Sequence, residues 1–295
     1  MIDKIRNRIK KIYLTNPNRY NAQFLDMNET NNDIRGAIQN KTPFFASRLG
    51  SVELSALNIY YKKKEWPNSI KQQMSNNAGF FPTDNKNLMK FCNLYINEIP
   101  CIDLLGVWYN EGESELFNQY NSRGVITELK NLEPYYSSNP WSAALKGKNV
   151  LIIHPFAETI RDQYKNRQYI FDNKNILPEF NLITLKSVQT ISNNKTGFED
   201  WFSALKYMKD QIKDINFDVA IIGAGAYGLP LGAYIKELNK VAIHLGGSTQ
   251  ILFGIKGSRW DNHPIISGFY NQYWCRPYES ERPEGFKNVE KGCYW

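Results

Sequence analysis

Three glycines with G-x-G-x-x-G spacing are the residues whose arrangement points most directly to chemistry: Gly223, Gly225 and Gly228. The apolar run 219–222 before them is typical of a buried strand, and apolar residues recur at helical spacing after them. In this context glycines let backbone N–H groups approach a phosphate, while the helix directs its positive end at the anion. The pattern therefore predicts a nucleotide-binding turn, in which Tyr227 would stack on a base or a sugar.

The glycine spacing is shared by dinucleotide-binding enzymes, which also need an acidic residue about 20 positions later to hold a ribose. Here the next predicted strand, 240–245, ends in His244 and two glycines, with neither Asp nor Glu. An NAD(P)- or FAD-dependent oxidoreductase therefore stays only an alternative, and we do not expect NAD as a cofactor. A second alternative is that the glycines merely allow a tight turn and close helix packing.

A second glycine-bearing loop follows that strand and contains Gly246, Gly247 and Gln250. Two strand-to-helix turns that expose backbone N–H groups would form a cradle for a diphosphate. Lys256 and Arg259, later in the same loop, would add positive charge, or they form an ordinary surface pair. Trp260 beside them is a further candidate for stacking on a base or a sugar.

The third motif follows the first predicted strand, 43–47, and contains Arg48, Gly50, Ser51 and Glu53. An arginine can bind a phosphate through two parallel hydrogen bonds. In a cleft, Glu53 would act as a general base on a sugar hydroxyl or as a ligand to a divalent metal. The alternative is that Arg48 and Glu53 form a structural ion pair.

Further polar residues follow the other predicted strands. Glu111, after the second strand, is the reserve candidate for the base, and His154 and Glu158 follow the third. His154 and His244 would hydrogen-bond a phosphate or a sugar, unless they are structural histidines. Because ligands of open parallel sheets lie beyond the carboxyl ends of the strands, we expect these side chains to share one edge.

The elements that must position these residues are short apolar strands that alternate with helical patterns. This order predicts an α/β fold, with a Rossmann-like, mostly parallel sheet and helices on both faces. We expect a helical segment over residues 1–40 and an irregular tail over 262–295, which is rich in Pro, Gly and aromatic residues. The chain, 1–295, is treated as a single domain. The predicted strands are 43–47, 102–108, 148–153, 181–186, 219–222 and 240–245.

Composition narrows the choice of partners. The 295 residues are 42% hydrophobic and carry a net charge of +7, which favours anionic ligands. Nucleic acid is not expected, because no dense basic tract with interleaved aromatic residues is present. The basic start of the chain, with Ile2, Ile5, Ile9 and Ile12 on one helical face, would contact an anionic membrane surface or dock on the body of the protein.

The expected location is the cytoplasm. The basic segment 1–14 lacks the apolar core of a signal peptide, and no apolar run reaches the roughly 18 residues of a membrane span. The four cysteines form no C-x-x-C pair, which fits a reducing compartment better than a disulfide framework.

Residues 44–54, F-F-A-S-R-L-G-S-V-E-L, resemble the R-F-G-D-G-E segment of bacterial glycosyltransferases of the GT-D fold. The C-terminal half, with its two strand–glycine turn units, is similar to the nucleotide-sugar half of that family. The runs 154–160, 225–230 and 244–260 also resemble uncharacterised proteins that accompany enzymes of surface polysaccharide biosynthesis.

The resemblance implies a glycosyltransferase that moves a sugar from a nucleotide sugar, with a UDP-sugar expected, to a surface glycan or a lipid-linked acceptor. It would work in the bacterial cytoplasm, at the inner surface of the membrane. The family's D-x-E motif binds Mn²⁺ or Mg²⁺ and the donor diphosphate, and its glutamate corresponds to Glu53. Its aspartate corresponds to Ser51, a poor ligand for a hard cation. Either the basic side chains would replace the metal, or another carboxylate, such as Glu111 or Glu158, would complete a metal site with Glu53. A non-catalytic nucleotide-binding partner in glycan assembly is the other alternative.

Overall fold

Eight parallel strands form one sheet in the computed structural model of the protein, which describes residues 13–193 and 197–295. The strand order is β1-β4-β3-β2-β8-β7-β5-β6, and every neighbouring pair is parallel. The strands are β1 (Phe24–Leu25), β2 (Phe44–Ser47), β3 (Leu104–Val107), β4 (Val125–Glu128), β5 (Asn149–His154), β6 (Asn181–Lys186), β7 (Val219–Ile222) and β8 (Val241–His244).

Ten α-helices accompany the sheet in the described part of the chain. They are α1 (Met27–Asn40), α2 (Ser51–Tyr61), α3 (Asn68–Asn76), α4 (Asn85–Glu98), α5 (Glu113–Tyr120), α6 (Ala157–Tyr164), α7 (Arg167–Ile170), α8 (Trp201–Lys213), α9 (Gly228–Glu237) and α10 (Ser248–Leu252). Among these helices, none is both long enough and apolar enough to cross a membrane.

Two apolar cores lie on the two faces of the sheet. Successive strand residues contribute to opposite cores, so that Phe44 and Leu104 belong to one and Phe45 and Leu105 to the other. This is the consequence of alternating side-chain directions in a strand that is covered on both faces. Strands β2, β3, β7 and β8 are buried at every position, which explains their continuous apolar sequences. The predicted α/β fold is confirmed.

The two strands that the sequence did not reveal lie at one side of the sheet. Strand β1 has only two residues, and β4 mixes partly exposed with buried positions. Neither is long enough, or apolar enough along its length, to produce the pattern of a buried strand.

The predicted N-terminal helix is only partly present. Residues 1–12, where the basic amphipathic face was predicted, lie outside the described residues. After them, a 3₁₀ turn (Pro17–Arg19) and β1 precede α1, so helix fills only part of the helical segment predicted over 1–40. Asp26 starts α1 with a capping box, in which it exchanges hydrogen bonds with Glu29. A capping box marks a new helix start, which is why the chain before it is not helical.

The tail over 262–295 is irregular, as predicted, with three 3₁₀ turns. Its large side chains are nevertheless anchored, since Trp274, Val289 and Trp295 are buried in the core on one face of the sheet. The tail thereby reaches the carboxyl edge of the strands, where it forms part of a cavity.

Candidate functional site

A cavity lies at the carboxyl ends of the central strands and encloses about 1150 Å³ of non-protein space, part of it open to solvent. Strands β3, β2, β8, β7 and β5 all end at it. It brings together most of the residues selected from the sequence, namely Arg48, Gly50, Ser51, Glu53, His154, Gly223, Gly225, Tyr227, His244, Gly246, Gly247, Gln250 and Arg259.

We name two sides of this cavity. The N-terminal wall follows β2 and β3 and consists of Arg48, Gly50, Ser51, Glu53 and Trp108. The C-terminal wall follows β7 and β8 and consists of Gly223, Gly225, His244, Gly246 and Gly247.

Five of the selected residues do not line the cavity: Glu111, Glu158, Gly228, Lys256 and Trp260. Glu111 lies at the surface with its carboxylate 3.9 Å from Lys62, and Glu158 lies 3.5 Å from Lys186. The ammonium of Lys256 lies over the ring of Tyr270, 5.1 Å from its centroid. Each of these charged residues follows a strand in sequence, but the turn after that strand carries its side chain outward.

The G-x-G-x-x-G glycines have different roles in the structure. A Cβ atom on Gly228 would lie 2.1 Å from Nε2 of His244, and one on Gly223 would lie 2.5 Å from Cδ2 of His154. The absence of a side chain at these two glycines therefore leaves room for the imidazole rings. Gly225 instead has a φ of +54°, which favours glycine, and its Cβ position is open. The packing alternative thus accounts for two of the three glycines.

Backbone N–H groups remain available at both turns. Those of Gly223 and Gly246 are used within the sheet, where they donate to the carbonyls of Ile153 and Ile222. The next donors along each turn, at Ala224 and Gly247, have no backbone or side-chain acceptor among the described residues. Such donors at two adjacent strand ends are suited to anionic oxygens.

Arg48 projects from the end of β2 between the two walls. Its Nη1 would lie 2.4 Å from a Cβ on Gly246, so the glycine leaves the space that the guanidinium fills. Its Cζ lies 4.4 Å from the centroid of the Trp108 ring. Its Nε is buried without a hydrogen-bond partner, and no carboxylate of the described residues lies within 4.0 Å of it. Arg48 therefore retains hydrogen-bonding capacity for a ligand, and the alternative, an Arg48–Glu53 ion pair, is not formed.

Glu53 is buried in the first turn of α2, where the helix dipole favours its negative charge. Its carboxylate folds against Gly50, because a Cβ at that position would lie 2.0 Å from Oε2. Burial raises the pKa of Glu53, while a hydrogen bond from its own backbone N–H and the nearby Arg48 act in the opposite direction. A raised pKa makes this carboxylate a stronger base than an exposed one.

The donor set does not fit a divalent cation. Ser51 lies at the cavity where the resembling family has an aspartate, and its backbone carbonyl accepts a hydrogen bond from Ser55. Within residues 13–193 and 197–295, no three Asp, Glu, His or Cys side chains are grouped as metal ligands. Mn²⁺ and Mg²⁺ require several oxygen ligands, which Glu53 by itself does not supply.

His154 and His244 are buried and neutral. Burial lowers the pKa of His154 to about 3, and burial together with Arg48 does the same for His244. Nδ1 of His154 accepts a hydrogen bond from the N–H of Phe156, so its proton is on Nε2. Nδ1 of His244 lies 3.2 Å from the hydroxyl of Ser47. Both are therefore polar neutral groups of the cavity and not cations.

Two aromatic candidates have structural roles. The ring of Tyr227 stacks on Trp201, with centroids 4.7 Å apart, and its hydroxyl faces Thr190. Because both side chains are buried, Tyr227 forms part of the core at the cavity floor and offers no open face. Trp260 is buried against Tyr294 and does not line the cavity.

The C-terminal tail supplies cavity residues that the sequence did not reveal. Glu290 forms an ion pair with Arg259, whose charge is thus already balanced. Gln250 donates to the carbonyl of Tyr294, which attaches the tail to α10, while its Oε1 is buried without a partner. Tyr294 and Trp295 line the cavity as well. The aromatic content of the tail indicated packing, but no local pattern indicated where the tail would pack.

Trp108 was also missed, because its sequence position is that of the last residue of a buried strand. In the structure β3 ends at Val107, and Trp108 is the first residue beyond it. The segment 187–191, which follows β6, lines the opposite end of the cavity.

Two solved chains resemble this protein in overall chain path. One is described in the words "The highly conserved domain of unknown function 1792 has a distinct glycosyltransferase fold", and the other is a selenomethionine-substituted structure of the same domain. They are 10% and 11% identical to this chain, each with a TM-score of 0.45, and the alignments cover 88% of this chain and 92% of each of theirs. No protein-family model matches the sequence, and no curated protein matches it at a significant level. The likeness concerns the fold alone and assigns no substrate to the cavity.

Proposed function

We propose that the protein is a glycosyltransferase that moves a sugar from a nucleotide sugar, with a UDP-sugar expected, to a glycan acceptor. The observation that carries this proposal is the position of Arg48. Its guanidinium has no carboxylate partner among the described residues, and it lies between the buried carboxylate of Glu53 and the free N–H groups of two glycine turns. A cation, amide donors and a proton acceptor are the groups that transfer from a diphosphate leaving group requires.

Each group has a role in the proposed reaction. The bond between the sugar C1 and the diphosphate oxygen breaks as the acceptor oxygen forms its bond to C1. Glu53 takes the proton of the acceptor hydroxyl. Arg48 and the N–H groups of Ala224 and Gly247 stabilise the charge that develops on the departing nucleoside diphosphate.

Nucleotide binding is tested by calorimetry with UDP-, GDP-, TDP- and CMP-sugars. We expect at least one donor to bind, and Glu53→Gln to retain that binding while sugar transfer is lost. Arg48→Ala should weaken binding of the same donor about 10- to 100-fold, because a charge-assisted phosphate contact contributes about 1.5–3 kcal/mol. The absence of binding by every donor would contradict the proposal.

A second candidate function is a non-catalytic nucleotide-binding partner in glycan assembly. Ser51 favours it, since this residue stands at the cavity in the place of the family's aspartate. It predicts donor binding without turnover. Sugar transfer to any acceptor, or hydrolysis of the bound donor that depends on Glu53, would exclude it.

A further inference from the structure

Trp108 differs from every other tryptophan of the protein. The chain contains seven, and six of them are buried, with no more than 7% of their surface exposed. Trp108 is 41% exposed and stands at the cavity, in the N-terminal wall. A large aromatic residue in a concave site is a frequent ligand contact, because burial of its surface by a ligand is favourable.

The backbone holds Trp108 in place by contacts that the reaction does not use. The buried carboxylate of Glu113 accepts hydrogen bonds from the N–H of Trp108, at 3.0 Å, and from the hydroxyl of Tyr20. The next residue, Tyr109, has a φ of +59° and anchors its hydroxyl on Glu128 at 2.7 Å. A non-glycine residue in the left-handed region carries a conformational cost, and the hydrogen bonds to Glu113 and Glu128 hold this turn in place.

One face of the indole is already occupied. The guanidinium of Arg48 lies over it, 4.4 Å from the ring centroid. The exposed 41% of Trp108 therefore lies on parts of the residue that Arg48 does not cover, and we call the ring face opposite Arg48 the free face. A second cation is disfavoured there by Arg48, so the free face is suited to a neutral ring.

The position of Trp108 places it on the sugar side of the proposed site. Strand β3, which it follows, is separated from β8 by β2 alone, so the backbone of Trp108 lies two interstrand spacings, about 10 Å, from the nearer glycine turn. The Arg48 side chain fills the space between the indole and Gly246. Glu53, the proposed proton acceptor, belongs to the same wall as Trp108. The ring face opposite Arg48 therefore points away from the Gly246 turn, so a group stacked on it would lie across Arg48 from the proposed diphosphate.

We propose that the free face of Trp108 binds a pyranose ring of the acceptor glycan. The apolar C–H face of the sugar would stack on the indole, and a hydroxyl of the same sugar would point to Glu53. This inference rests on the proposed transferase function, but the binding of the sugar can be measured without the donor.

The test uses the full chain labelled with 5-fluorotryptophan. The Trp108→Phe variant assigns one of the ¹⁹F resonances, and methyl glycosides of glucose, galactose and N-acetylglucosamine are then titrated without nucleotide. We expect at least one glycoside to shift the Trp108 resonance. The same glycoside should reduce the quenching of Trp108 fluorescence by acrylamide. In Trp108→Ala the affinity of that glycoside, followed by saturation-transfer NMR, should fall about tenfold, and in Trp108→Phe by less. Tyr207→Ala removes an exposed aromatic ring outside the cavity and should leave the affinity unchanged.

A separate titration with UDP distinguishes the two proposals. If a glycoside binds but no nucleotide sugar does, the sugar-binding role of Trp108 is retained and the proposed glycosyltransferase function is contradicted. If UDP reduces acrylamide quenching of Trp108 and no glycoside does, the indole binds the nucleobase and the inference is overturned. The absence of any glycoside effect, with both Trp108 variants folded by circular dichroism, overturns it as well.

Discussion

The N-terminal wall presents charged and aromatic side chains to the cavity, whereas the C-terminal wall presents backbone and neutral rings. In the first, Arg48 has no carboxylate partner in the described part of the chain, and Glu53 is a buried acid. In the second, the imidazole of His244 is neutral, as is that of the nearby His154. Close packing against these two rings accounts for Gly228 and for Gly223 of the wall. The charge of Arg259, close to that second wall, is balanced by Glu290.

This difference separates two ways of forming a site. A backbone turn offers N–H donors whose positions follow from strand packing. Such a turn requires only that its residues be small. A side-chain wall depends on individual functional groups, so a single substitution removes a function while the fold remains. The contrast predicts that substitutions in the N-terminal wall affect activity most, and those near the C-terminal wall affect stability.

The largest expected effect is on transfer. Glu53→Gln should lower the rate of transfer about a thousandfold, because a positioned general base contributes on the order of 10²–10⁴. Glu111→Gln, the matched change outside the cavity, should leave the rate near that of the wild type. Rates measured with one donor and acceptor check the pair, and equal losses in both variants would contradict the assignment of Glu53.

The next effect is the pH dependence of stability. Burial raises the pKa of Glu113, which holds Trp108, from 4.5 to about 7. Between pH 4.5 and about 7 the folded state therefore binds a proton that the unfolded state lacks. The contribution of Glu113 to stability is present below pH 4.5 and is lost as the pH rises to about 7. The free energy of unfolding should therefore fall by about 3 kcal/mol over this pH range, and Glu113→Gln should remove that fall. Urea unfolding at several pH values measures it, and parallel curves for both proteins would refute it.

His154 should show the opposite slope. Its folded pKa of about 3 lies below the ordinary value of 6.5, so the unfolded state binds more protons between these values. Its contribution is present above pH 6.5 and is lost as the pH falls towards 3. In the same unfolding experiment, His154→Gln should reduce the loss of stability on acidification. If the free energy of unfolding falls with acidification equally in both proteins, His154 is not held neutral in the folded state.

The two arginines give a smaller contrast, in nucleotide affinity. Arg48→Ala should weaken binding of the preferred donor by about 1.5–3 kcal/mol, and Arg259→Ala by less than about 1 kcal/mol. The reason is that Arg259 is paired with Glu290, whereas Arg48 has no carboxylate partner within reach among the described residues. Calorimetry on the two variants measures the difference, and a larger effect of Arg259→Ala would reverse the assignment of the two residues.

The smallest effect compares two glycines. Gly228→Ala would meet the rigid imidazole of His244 and should destabilise the fold by about 1–3 kcal/mol. Gly50→Ala would meet only the end of the flexible Glu53 side chain, so it should cost less than about 1 kcal/mol but redirect the carboxylate. Thermal unfolding and transfer rates separate the two outcomes. Equal destabilisation by both would contradict the packing described at these turns.

Much of the fold was predictable because its central strands are buried on both faces. Strands β2, β3, β5, β7 and β8 were predicted within about two residues of their observed ends, since covered parallel strands have apolar sequences. Strand β6, a partly exposed edge strand, was predicted with its observed ends. Strand β1 was not predicted, because two residues contain no periodicity. The start of α1 required its capping box to be recognised, and the predicted helical segment, 1–40, did not separate α1 from the strand before it.

The sequence by itself determined the carboxyl edge of the sheet and the residues that follow its strands. Strand ends are local features, and parallel strands bring them to one edge. Only the tertiary structure decided which side chains enter the cavity, that Arg259 is paired while Arg48 has no carboxylate partner among the described residues, and that Trp108 is exposed. These depend on contacts between segments far apart in the chain, such as Glu290 with Arg259 and Arg48 with Trp108, for which no local pattern exists.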